Sequence, residues 1–182
     1  MLALTASIAA ADEVQLPKLM QFFAQNKASK ATFVEKKYIG MLDTPIESSG
    51  DLAFTAPDKL VKRTLKPKFE SLVLEGDQLT LDQQGRRRLT VSLMDHPEIS
   101  AFVESIRGTL AGDRLALEKF YKLDLSGSSD EWQLVLTPNQ ARMIKIIRRI
   151  QINGSHGNIK TIHFDQGDGD HAEMLITKTL AE

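Results

Sequence analysis

Between Ile46 and Leu93 apolar and polar positions alternate. Leu72 and Leu74 flank Val73, Leu79 and Leu81 flank Thr80, and Leu89, Val91 and Leu93 alternate with Thr90 and Ser92. A period of two puts one set of side chains on an apolar face and the other in water, the mark of β-strands. The pattern predicts strands over residues 50–55, 60–65, 69–74, 78–82 and 88–93. Turn chemistry separates them: Pro57-Asp58, Pro67, Glu75-Gly76-Asp77 and Gln83-Gln84-Gly85. Connections this short make successive strands antiparallel neighbours.

Elsewhere the period lengthens. Leu16, Leu19, Met20 and Phe23 recur at helical spacing and predict an N-terminal helix capped by Asp12, with Pro17 awkwardly inside it. Residues 31–42 read as a long strand before the turn at Asp43-Thr44-Pro45. Ile99, Phe102, Val103, Ile106 and Leu110 form a second helical stripe, opened by Pro97 and stopped by Gly112. Asp113 then caps a short helix bearing Leu117, Phe120 and Tyr121. Strands resume over 122–125, 131–137 (Trp132, Leu134 and Leu136 on one face), 142–153, 158–165 and 171–179. Segment 142–153 carries Ile144, Ile146, Ile150 and Ile152 on one face, interrupted by Arg148. Either a bulge turns that arginine out or it points inward at a groove mouth. Without βαβ alternation the sheet is not parallel. The expected architecture is α+β: one strongly curved antiparallel sheet of about 11 strands, with the central helices against its concave face.

A chain of 182 residues suits one domain. Its net charge of −1 argues against a nucleic-acid partner. No apolar run approaches the roughly 20 residues of a membrane span. The absence of cysteine excludes disulfides, thiol catalysis, cysteine metal sites and a lipid anchor. Residues 2–11 are uncharged, apolar and alanine-rich, and Ala9-Ala10-Ala11 before Asp12-Glu13 has the form of an A-x-A cleavage site. Residues 1–11 are therefore read as the tail of a secretory signal peptide, and 12–182 as a single domain.

Candidate chemistry is sparse. There is no G-x-S-x-G, no H-E-x-x-H and no P-loop, and His96, His156, His163 and His171 are not at metal-ligand spacing. Residues 165–171 have the acidic spacing of a calcium loop but lack its distal Glu and lie between two strands, so they read as a hairpin tip. No enzyme, metal site or cofactor is predicted. Arg86, Arg87 and Arg88, with Lys66 and Lys68, form either a solvated charge run or an edge that docks on anionic lipid or an acidic partner.

The order helix, meander, two helices, meander resembles the LolA/LolB-like lipoprotein-carrier superfamily over nearly the whole chain. Ala31-Thr32-Phe33-Val34-Glu35 resembles its A-x-F-x-Q opening strand, with Glu35 in place of Gln. Gly50-Asp51-Leu52-Ala53-Phe54 before Pro57 resembles G-x-L-x-x-x-R-P, with Ala56 in place of Arg. Leu74-Glu75-Gly76 with Leu79-Thr80-Leu81 resembles the S-D-G-x-x-L-W-x-Y hairpin, with Thr80 in place of Trp. Val135-Leu136-Thr137-Pro138 matches F-x-L-T-P, and Val61 stands where the arginine tied to lid closure is expected.

The resemblance implies an unclosed half-barrel with the helices over 97–121 as a lid. It implies a monomeric periplasmic carrier that shelters the acyl chains of a lipoprotein or other amphiphilic lipid, between an inner-membrane exporter and an outer-membrane acceptor. On that reading the cavity and lid residues are Leu72, Leu74, Leu79, Leu81, Leu89, Val91, Leu93, Ile99, Phe102, Val103, Ile106, Trp132, Leu134 and Leu136. The alternative is a non-catalytic interaction module, its groove filled by its own side chains and its function on the Arg86–Arg88 edge.

Overall fold

The structure, a computed structural model, describes residues 13–179. The signal-peptide tail expected over 1–11 and the cap expected at Asp12 lie outside the described residues. The chain opens with α1 (Leu16–Gln25), β1 (Ala28–Tyr38), β2 (Ile46–Thr55), β3 (Lys59–Lys66), β4 (Glu70–Glu75), β5 (Gln78–Gln83) and β6 (Leu89–Ser92). The helices α2 (Pro97–Ala111) and α3 (Arg114–Glu118) follow. β7 (Tyr121–Gly127), β8 (Trp132–Pro138), α4 (Ala141–Ile144), β9 (Ile147–Ser155), β10 (Asn158–Gln166) and β11 (His171–Lys178) complete it.

All strands belong to one 11-stranded antiparallel sheet in the order β6-β5-β4-β3-β2-β1-β11-β10-β9-β8-β7. Two meanders, each built from local hairpins, are joined where β1 pairs with β11, from Ala31↔Lys178 to Tyr38↔His171. Among the described residues β6 and β7 are the two outermost strands and do not pair with each other, so the barrel is unclosed. The helices lie on the inner face.

Several boundaries differ from the sequence reading, each for a local reason. α1 starts at Leu16, which puts Pro17 in the first turn, where its missing N–H removes no helical hydrogen bond. β1 ends at Tyr38, leaving Met41 and Leu42 on an exposed turn. The strand expected over 88–93 closes at Ser92, whose side chain accepts from the Met94 N–H and starts a short 3-10 turn at Leu93. Phe120 lies beyond α3, and Tyr121 opens β7. The expected strand 142–153 starts as helix: α4 covers Ala141–Ile144, and β9 begins at Ile147. Ile144 and Ile146 are exposed while Ile147 is buried. Asp165 pairs with Arg149 and Gln166 with Ile147, leaving Arg148 as the extra residue of a β-bulge. The exposed Arg148 guanidinium donates to the Gly167 carbonyl at 2.7 Å, so the bulge turns this side chain outward.

The larger core fills the space between β7–β10 and the helices. Leu134 and Leu136 of β8, Ile150 and Ile152 of β9, Leu19 and Phe23 of α1 and Leu117 of α3 are all buried there. Trp132 is fully buried, packs edge-on against Phe23 at 5.7 Å between centroids and donates from Nε1 to the His156 carbonyl at 2.8 Å. A smaller core of Leu74, Leu93 and Val103 lies on the same inner face, at the first meander. α2 spans the two. Gly112 ends α2 at φ 68°, and a Cβ there would run into the Met20 carbonyl oxygen, so close approach and backbone conformation both demand glycine. Asp113 then caps α3 through the Ala116 N–H at 2.9 Å.

Beneath α2 the Tyr121 hydroxyl donates to the Ala101 carbonyl at 3.1 Å. Burial pushes its phenol up to about 12, with the Ser105 hydroxyl acting in the opposite direction. The unfolded chain releases this proton near pH 10. Above that value the unfolded state binds fewer protons than the folded one. The contribution is therefore intact below pH 10 and is lost as pH rises toward about 12. Urea unfolding of wild type and Tyr121→Phe across this window checks it: the wild type is expected to lose stability faster with pH than the variant.

Candidate functional site

The register of the sheet aligns inward-facing side chains in rungs. One rung runs Lys178, Ala31, Leu52, Lys62, Leu72, Leu81 and Leu89 across β11, β1, β2, β3, β4, β5 and β6. The next runs Phe54, Leu60, Leu74, Leu79 and Val91. From Lys178 to Leu72 on the first and from Phe54 to Leu79 on the second, these rungs form the floor of a cavity of about 340 Å³, roofed by α2. That volume lies near the lower end of the roughly 300–1,000 Å³ typical of small-molecule sites.

The residues singled out in the sequence divide in two. Leu72, Leu74 and Leu79 line the cavity floor, and Ile99, Phe102, Val103 and Ile106 line its roof. Phe102 also packs on Phe164 of β10, at 5.4 Å between centroids. The others do not line it. Leu81, Leu89 and Val91 share the inner face but lie toward the free edge at β6, and Leu89 is 56% exposed. Leu93 belongs to the small core under α2. Trp132, Leu134 and Leu136 are fixed core under α1 and α3.

Sequence reasoning missed Leu52, Phe54, Leu60 and Ala31 on the floor, and Met174 and Ile176 on β11. Leu52 and Phe54 flank Ala53 at period two, a signal that was available. β3 carries no such signal, because Lys62 occupies an inward position between Leu60 and Thr64. Its Nζ lies 2.7 Å from Glu35 Oε2, which also accepts from the Ser48 hydroxyl at 3.3 Å.

Arg107, on α2, reaches across the roof. One guanidinium nitrogen pairs with Glu104 and another donates to the Gly76 carbonyl at 2.6 Å, tying α2 to the β4–β5 turn. This bond sets an arginine of α2 against the β4–β5 turn, whereas the resemblance pointed to position 61 on β3. Arg107→Ala is expected to leave the sheet intact while loosening this end of α2. Amide hydrogen exchange in α2 should accelerate by about tenfold or less, in line with a bond worth about 1 kcal/mol.

The basic edge is exposed. Arg88 pairs with Asp82 at 2.8 Å and Arg86 donates to Gln83 at 3.3 Å. The 165–171 segment is the β10–β11 hairpin, whose Asp170 carboxylate accepts from the Gly40 N–H at 3.0 Å. Among the described residues no group of three or more His, Asp or Glu side chains is arranged to hold a metal ion. Among the described residues no helix is long and apolar enough to cross a membrane.

The chain matches, over residues 8–181, the family described as outer membrane lipoprotein carrier protein LolA-like. No curated protein sequence matches it. Among solved structures it is similar to a LolA superfamily protein from Nitrosomonas europaea, at 9% identity and a TM-score of 0.47, covering 93% of this chain and 94% of that one. It is similar to a DUF1329 family protein from Desulfovibrio piger at 11% identity and a TM-score of 0.38, covering 89% and 88% respectively. It is also similar to a chain of the Pseudomonas aeruginosa MucA/MucB complex at 16% identity and a TM-score of 0.38, covering 92% of this chain and 56% of that one.

Proposed function

The chain belongs to the LolA-like outer membrane lipoprotein carrier family, and from that premise we propose that it is a periplasmic carrier that shelters the acyl chains of a lipoprotein or another amphiphilic lipid. The observation that carries this reading is the cavity itself: an apolar floor from the first meander, β10 and β11 under an apolar face of α2. The groove of β7–β9 is filled by side chains of α1 and α3; that of the first meander is not filled. A self-filled interaction module would fill both. The protein acts by binding rather than by catalysis.

Each methylene moved from water into such a cavity gains about 0.8 kcal/mol. A myristoyl chain enters a bilayer with an association constant of only about 10⁴ M⁻¹. A cavity that covers most of one chain therefore competes with a membrane without holding its cargo irreversibly, as a carrier between two membranes requires. Loading from an inner-membrane exporter and delivery to an outer-membrane acceptor follow from this reading. The edge at Arg86, Arg87 and Arg88 is a docking surface for one of them.

The test is native mass spectrometry and solvent extraction of protein purified from the periplasm of its own host. An acylated molecule bound in stoichiometric amount is the expected result. Protein that neither carries nor takes up any amphiphile would end this reading.

A further inference from the structure

We propose that the cavity selects amphiphiles with an acidic head group, a carboxylate or phosphate, and that Lys62 receives that group. The inference rests on the carrier reading above and narrows its cargo. Lys62 stands on the inner face between Leu52 and Leu72 on their rung, and it lines the cavity. Its Nζ sits 2.7 Å from Glu35 Oε2 and 4.9 Å from the centre of the Phe33 ring. The two side chains are only 29% and 20% exposed.

An ion pair set among leucines and a phenylalanine contributes little net stability, because desolvation offsets the attraction; apolar residues of equal volume would serve the fold as well or better. Its place on a cavity wall is explained by what it offers a ligand. An ammonium has three N–H donors, and among the described residues Glu35 is the one hydrogen-bond acceptor that Lys62 reaches. The charged side chains at inward positions of the cavity wall are Lys62 and Lys178 against Glu35 alone. The wall is therefore positive although the whole chain is at −1. Lys178 shares the rung of Lys62, two strands beyond Leu52 by way of Ala31. Glu35 holds Lys62 as an incoming carboxylate or phosphate would. A ligand oxygen takes over the Nζ contact, and Glu35 keeps its bond from Ser48.

Displacement titrations on purified protein distinguish the outcomes. The probes are palmitic acid, hexadecanol, a lysophosphatidic acid and a lysophosphatidylcholine of equal chain length. Palmitic acid is expected to bind about tenfold tighter than hexadecanol, a difference of about 1.4 kcal/mol. The two acidic probes assign the preferred head to a carboxylate or a phosphate monoester. The acid-to-alcohol ratio should fall toward one in Lys62→Met and rise in Glu35→Gln, which removes the competing carboxylate. Should Lys62→Met not fold, as read by circular dichroism, the Glu35→Gln ratio decides alone. Equal binding of acid and alcohol by the wild type, or ratios that neither folded variant changes, would overturn the inference while leaving the carrier reading in place. Failure of all four probes to bind sinks the carrier reading, and this inference with it.

Discussion

Trp132→Ala is expected to lower folding stability by about 3–5 kcal/mol, the range for removing a fully buried aromatic side chain. The indole makes three kinds of contact that alanine cannot. It packs edge-on against Phe23, which holds α1 to the sheet. Its N–H satisfies the His156 carbonyl at the β9–β10 turn. Its ring lies against Gly154, where any Cβ would strike it. The substitution opens a void between α1, β8 and β9 and leaves a carbonyl without its donor. Against a total stability of about 5–15 kcal/mol, this removes much of the margin. Urea unfolding followed by far-ultraviolet circular dichroism checks it, since the fluorophore itself is gone. A loss below about 1 kcal/mol would mean that the second meander is not the fixed half of the molecule.

Ala31→Phe is expected to act in the opposite way: little change in stability, and a large loss of ligand. Ala31 faces inward between Lys178 and Leu52 and lines the cavity floor. A phenyl ring there displaces about three methylenes of a bound chain. At about 0.8 kcal/mol each this comes to about 2.4 kcal/mol, or about 50-fold in affinity for a palmitoyl chain. In a filled core the same change would cost about 1–3 kcal/mol of stability through overpacking. Two readouts therefore bear on one residue. Reduced affinity with an unchanged or raised unfolding midpoint is the expected pair. Unchanged affinity would place the acyl chain elsewhere, and a large stability loss would mean that the space is not free.

These two predictions mark where sequence and structure part. Alternation at Leu72–Leu74, Leu79–Leu81 and Trp132–Leu136 located the inner face on both meanders, because a period of two reads out which side is dry. It cannot say what covers that side. Leu72 and Leu134 have the same local pattern. One lines a cavity and the other is core, because Leu19 and Leu117, distant in the chain, fill the second groove only. The isoleucines at 144, 146, 147, 150 and 152 suit helix and strand alike, so the α4–β9 boundary was not visible in their spacing, whereas the arginine that interrupts their face did signal the bulge at Arg148. The strand over 60–65 was legible, but Lys62 broke its alternation and so hid which of its side chains face inward. The irregularity that weakened the pattern is the polar feature of the cavity wall.

The claim beneath all of this is that the first meander, β10, β11 and α2 enclose space for an acyl chain, and that the groove of β7–β9 does not. The direct measurement is methyl nuclear magnetic resonance with a ¹³C-labelled fatty acid, reading through-space contacts from ligand methylenes to protein methyl groups. Contacts to Leu52, Leu72, Ile99 and Ile106, with none to Leu134, Leu136 or Ile150, are the predicted result. Contacts confined to the outer face of the sheet, or to the methyl groups of the second core, would contradict it.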